Sequence, residues 1–120
     1  MFYRYANTNN LYFRYAFGTD ATSAIATDFF LGYDNQWILI TVVADYNNKN
    51  VKFYRNGSLF YTYTTANNML FPDTLKAKYM GANYTTYRIL GYLDDIRVYN
   101  RALSATEILS RYSQTKSRYE

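Results

Sequence analysis

Along most of the chain, short apolar or aromatic runs alternate with clusters of Asn, Asp, Gly and Thr, the punctuation of strands and turns. Residues 2–6 and 11–17 are two such runs, separated by Asn7-Thr8-Asn9-Asn10. Residues 24–31 predict a further strand, closed by Gly32 and the polar Asp34-Asn35. Residues 37–46 are the strongest apolar stretch. Its β-branched residues fall on both faces, as expected of a strand covered on both sides, with Trp37 as a core anchor. Asn47-Asn48-Lys49-Asn50 predicts a turn, and residues 51–55 the returning strand. Asn56-Gly57 follows at once, the preferred pair for a two-residue hairpin because both positions accept positive φ. Residues 58–65 alternate into the next strand, 66–73 read as a loop, and 75–80 and 89–99 are the last strands.

The period changes near the end. Ser104-Ala105-Thr106-Glu107 has the form of a capping box, in which Ser104 accepts from the Glu107 amide and Glu107 reaches back to the Ser104 amide. Ile108, Leu109 and Tyr112 give a narrow apolar stripe for one short helix. Residues 113–120 are polar and are expected to fray. The pattern is that of an all-β, antiparallel single domain over 1–112 with a helical end, followed by a polar tail over 113–120.

Composition narrows the chemistry. The chain has 120 residues and 14.2 kDa, one domain's worth and long enough for one core. It has no cysteine and no histidine, which removes disulfides, thiolate nucleophiles, Cys- or His-based metal sites and the commonest general base. Glu107 and Glu120 are the only glutamates. Aromatic residues reach 21%, with 16 Tyr and 8 Phe but one Trp, which suits half-buried sheet positions. The net charge is +4; residues 1–60 carry five basic and four acidic side chains, residues 61–120 eight and five. Arg4, Arg14, Lys52 and Arg88 are interleaved with aromatics but spread over separate strands, so nucleic-acid binding is disfavoured. No segment approaches the roughly 20 apolar residues of a membrane span, and the first residues lack the apolar region of a signal peptide.

The order of motifs is familiar. Trp37 opens an apolar strand, Phe53-Tyr54-Arg55-Asn56-Gly57 and Met80-Gly81-Ala82 follow, and Gly91-Tyr92-Leu93-Asp94-Asp95-Ile96-Arg97-Val98-Tyr99-Asn100-Arg101-Ala102-Leu103-Ser104 leads to Glu107-Ile108. This resembles the laminin-G-like branch of the concanavalin A-like lectin/glucanase superfamily, closely over 37–112 and weakly over 1–36. The resemblance implies a jelly-roll β-sandwich, with Trp37, Asn56, Gly57, Gly91, Asp94 and Glu107 as structural positions. It also implies N-terminal strands ahead of this region that the pattern does not contain. Self-association, or a partner chain that completes the sheet, is therefore expected.

Several residues invite a chemical role. Asp94 and Asp95 are adjacent and should point to opposite faces of a strand, with Asp94 partly buried beside Ile96 and Val98 and Asp95 paired with Arg97. They are not the carboxylate pair of a glycosidase, which needs two groups roughly 5 Å apart, so the chain is expected to be no enzyme. Related domains often hold Ca²⁺ at the sandwich rim. Asp20, Asp28, Asp34 and Asp73 lie in or beside predicted loops and are the candidate oxygen ligands, without a recognisable ligand spacing; solvated turn residues are the simpler reading. Asn67, Asn68, Asn83, Tyr84 and Tyr87 fall in predicted loops, where rings and amides can meet sugars. The alternative is that Tyr is simply the strand residue of this chain and Asn its turn residue. The expected function is a non-catalytic module that binds carbohydrate or another surface ligand, on an extracellular, cell-surface or virion protein; the alternative is a structural or assembly component of a particle.

Overall fold

Alternation of large and small apolar side chains builds the first layer. β1 (Phe2–Arg4), β2 (Leu11–Phe17) and β3 (Asp20–Ala26) form an antiparallel sheet in that order. Leu11 stands opposite Ala26 and Phe13 opposite Ala24. Each bulky residue thus has a small cross-strand neighbour, leaving room for a second layer to interdigitate. The computed structural model describes residues 2–4, 8–17, 20–66, 82–83, 87–88 and 91–119.

The second layer is the antiparallel sheet of β4 (Ile40–Asp45), β5 (Asn50–Arg55) and β6 (Ser58–Thr64). Val51 and Phe53 of β5 are fully buried against Leu11, Tyr15, Ala24, Ala26 and Phe29, with Ile40, Val42, Ala44, Phe60 and Tyr63 packed around them. This is the core of a two-layer antiparallel β-sandwich. The ladder of β5 with β6 slips by one residue after Phe53, so that Phe60 is the extra residue of a bulge. The bulge lets Phe60 join the core beside Phe29, edge to face at 5.1 Å.

The opposite face of the second sheet carries the helix. Val43 and Tyr54 are covered by Ile108 of α1 (Ala105–Thr115) and by Leu103. β4 is therefore enclosed as its β-branched pattern predicts, with Val42 toward the other sheet and Val43 toward the helix. Both bonds of the capping box form: Glu107 N–H donates to Ser104 Oγ at 3.2 Å, and Ser104 N–H donates to Glu107 Oε2 at 2.9 Å. Arg101 grips the same carboxylate, donating from Nη1 to Oε2 at 3.0 Å. Arg101 first, and then the Ser104 donors, pull the Glu107 carboxyl down to about 2.

The structure corrects four expectations. The strand expected over 24–31 ends at Ala26, because Asp28 adopts a left-handed conformation (φ 57°) and residues 27–32 turn. That turn is pinned by Asp28 N–H to Asn10 Oδ1 at 3.0 Å and Phe30 N–H to Asn9 O at 2.8 Å. Trp37 is not a core anchor but 45% exposed. Residues 91–99 of the expected last strand hold no strand: Asp95 is left-handed (φ 50°), which breaks the alternation, and Asp94, Ile96 and Val98 are exposed. Finally, helical structure continues past residue 112, where the polar tail was expected to begin. α1 runs on to the buried Thr115, whose Oγ1 donates to Arg111 O at 3.0 Å, and a 3₁₀ turn covers Lys116–Arg118. The strand expected over 75–80 lies outside the described residues.

Two outcomes test this architecture. Gly57 has φ +80°, and a Cβ there would stand 2.9 Å from Tyr112 Cβ. We expect Gly57→Ala to cost roughly 1–3 kcal/mol in urea denaturation; an unchanged midpoint would show that the helix is not seated on this turn. The Glu107 carboxyl is depressed from 4.5, so its stabilisation is complete above that pH and lost as pH falls toward about 2. Glu107→Gln should flatten the denaturation midpoint over that window relative to the parent, and parallel profiles would mean the Arg101 grip does not persist in solution.

Candidate functional site

The ladder of β4 with β5 explains why Trp37 reaches the surface. Its last pair is Ile40 with Arg55. The next residues close on each other outside the ladder: Leu39 N–H donates to Asn56 Oδ1 at 3.0 Å, and Asn56 N–H donates to Leu39 O at 2.9 Å. Beyond Leu39 the neighbouring strand has turned away at Asn56-Gly57, so among the described residues no strand pairs beside Trp37. It packs instead against Tyr119, at 4.9 Å between ring centroids, and Tyr92, at 6.4 Å, with both rings inclined 37° to the indole.

Asp94 completes this corner. Tyr119 Oη–H donates to Asp94 Oδ2 at 2.8 Å, and the Asp95 amide donates to Asp94 Oδ1 at 2.7 Å. The Tyr119 hydroxyl above all, and then the Asp95 amide, hold the Asp94 carboxyl below its ordinary range; the same bond raises Tyr119. Asp95 is tied to Arg97 by contacts of 2.7 and 3.2 Å, the ion pair the sequence predicts. Tyr92 is 86% exposed. The corner therefore offers aromatic faces beside an ionised carboxylate whose two oxygens each keep acceptor capacity. Rings of this kind stack on apolar C–H surfaces, and the carboxylate takes hydroxyl hydrogens.

A sequence model of the concanavalin A-like lectin/glucanases superfamily, of laminin-G type, matches residues 1–109. The chain belongs to this superfamily. A crystal structure of an S-layer domain-containing protein from Clostridium thermocellum ATCC 27405 is similar, with a TM-score of 0.55 and 19% identity. The match covers 86% of this chain and 50% of that one, so the chain spans about half the length of that crystallised segment, residues 221-444 of its protein. At this identity the likeness concerns the fold. No curated protein sequence matches.

The residues expected to bind ligand are placed unevenly in this concanavalin A-like domain. Asn67, Asn68 and Tyr84 lie outside the described residues. Asn83 and Tyr87 stand directly opposite each other in a two-stranded ribbon of β7 (Ala82–Asn83) and β8 (Tyr87–Arg88), in strands and not in the loop predicted for them. Of the calcium candidates, Asp20 opens β3, Asp28 is an exposed left-handed turn residue, and Asp34 lies 3.8 Å from Arg4. Asp73 lies outside the described residues, and among those described no three acidic side chains form a metal-sized group. Sequence reasoning did not single out Tyr92 and Tyr119. One signal was present: the polar Asp34-Asn35-Gln36 run directly before Trp37 marks a chain still at the surface.

Tyr119→Phe removes the donor to Asp94 and keeps the ring. We expect the Asp94 carboxyl to rise toward its ordinary value in an NMR pH titration while Trp37 emission stays near that of the parent. An unshifted Asp94 would show that the Tyr119 hydrogen bond does not hold the corner.

Proposed function

We propose that this domain is a non-catalytic recognition module that binds carbohydrate at the corner of Trp37, Tyr92, Tyr119 and Asp94. The observation that carries the reading is an indole and a phenol ring exposed side by side with an ionised carboxylate. A pyranose presents the complement, an apolar C–H face bordered by hydroxyl donors. The same groups do not support catalysis of glycoside cleavage. That reaction needs a protonated carboxyl and a second carboxylate roughly 5 Å away in the retaining case, or farther apart in the inverting one. Asp94 is held ionised, and its neighbour Asp95 is bound to Arg97. Asn83 and Tyr87, with Asn67, Asn68 and Tyr84, remain a second set of ligand contacts to try by substitution.

A surface or extracellular setting is part of the proposal, supported by the superfamily and by the S-layer description of the structural neighbour. That neighbour also favours a second reading, in which the sandwich is an assembly unit. The exposed apolar side chains Tyr92, Leu93, Ile96 and Val98 are the surface it would use.

Trp37 is the only tryptophan, so its emission reports on the corner directly. Titration with neutral glycans should change that emission saturably. Tyr92→Ala, at an exposed position, should weaken binding about tenfold or more, or about 1.4 kcal/mol, with unchanged thermal stability. Equal affinity in the variant would overturn the site. A chain without glycan affinity that forms discrete oligomers in light scattering would favour the assembly reading.

A further inference from the structure

On the sandwich, a second group of residues is built around a cation that joins no ion pair among the described residues. Arg55, the last residue of β5, lies with its guanidinium 4.4 Å from the Tyr33 ring centroid and 4.6 Å from that of Phe60. Its Nη1 donates to Phe29 O at 2.7 Å. The two rings and this bond hold the planar group in one orientation, as aromatic stacking of arginine does. Among the described residues the ion pairs are Arg4 with Asp34, Arg97 with Asp95 and Arg101 with Glu107; Arg55 joins none of them. One bond to a carbonyl uses one of five N–H donors.

Arg55 opens onto a shallow cleft of about 230 Å³ lined by Tyr33, Arg55, Asn56, Ser58, Leu59 and Phe60. Every charged or polar side chain in that lining is a donor. Asn56 Oδ1 is already taken by the Leu39 N–H at 3.0 Å, which leaves the Asn56 NH₂ to donate. Ser58 offers a hydroxyl at an exposed position. Among the described residues no carboxylate lines the cleft.

We propose that this cleft binds an oxyanion, with a carboxylate favoured by the planar fork of Arg55. Two parallel N–H···O bonds from a guanidinium match a carboxylate in geometry and charge, and the amide and hydroxyl supply further donors. The guanidinium is already oriented by its rings, so little side-chain freedom is lost on binding. The ligand class is an acidic small molecule or an acidic residue of a glycan, such as a uronate. This site is separate from the Trp37 corner and stands or falls without it.

The test is an NMR titration of the whole 15N-labelled chain at constant ionic strength, read at the Arg55 Nε–H and the Asn56 side-chain NH₂. Sodium acetate and sodium glucuronate should shift both signals saturably, and methyl glucoside should not. Arg55→Lys keeps the charge but loses the fork and should weaken glucuronate binding about tenfold, or about 1.4 kcal/mol. Because Arg55 also braces Phe29 and Phe60, the decisive variant is Ser58→Asp, which places a competing carboxylate in the cleft and leaves the core untouched. It should weaken glucuronate at least as much. Shifts that never saturate, or a Ser58→Asp chain that titrates like the parent, would overturn the proposal.

Discussion

At the Asn56-Gly57 turn three parts of the molecule are tied to one backbone geometry. Both residues have positive φ, 51° and 80°, which brings β6 back beside β5 with the twist of a tight hairpin. Asn56 exchanges two hydrogen bonds with Leu39 and so closes the end of β4. Gly57, lacking a Cβ, lets Tyr112 of the helix approach closer than any other residue would allow. Strand register, the edge of the ladder and the seat of the helix therefore share two adjacent residues. Arg55, immediately before the turn, is aimed by the same geometry toward Tyr33 and Phe60.

The aromatic residues divide by their polar handle. Phe29 and Phe53 have none and are fully buried at the centre. Tyr15, in the core between the sheets, and Tyr54, under the helix, are buried too, and burial raises their phenol pKa values. Tyr92 and Tyr119 stay at the surface beside Trp37. The basic residues follow the rings: Arg4 lies over Phe30, Arg55 over Tyr33 and Phe60, and Arg111 over Tyr99. A chain with net charge +4 thus places part of its positive charge in stacking and ion pairs.

Membership of the concanavalin A-like superfamily leaves the ligand open, because one sandwich can host lectins, enzymes and structural parts. What distinguishes this chain is local. Trp37 emerges where the ladder stops, and Tyr119 arrives there because the polar end of the helix continues to residue 118. Asp94 joins them through a single phenol hydroxyl. Each of the three is held by a different element, so the corner depends on the tertiary arrangement as a whole.

Local chemistry was sufficient for much of this protein. The run at 11–17, the return after Asn56-Gly57, the covering of β4 on both faces and the capping box at Ser104 and Glu107 all follow from side-chain period and short-range hydrogen bonds. Such features involve residues a few positions apart and need no knowledge of the rest of the chain. The exposure of Trp37, the early end of β3 at Ala26, the irregular course of 91–99 and the continuation of helical structure past residue 112 were not legible in that way. A tryptophan before an apolar run, or alternating residues beside Asp94, look the same whether or not a neighbouring strand extends far enough to cover them. Tertiary structure alone decides that, because the reach of each strand depends on where its partner, distant in sequence, turns away.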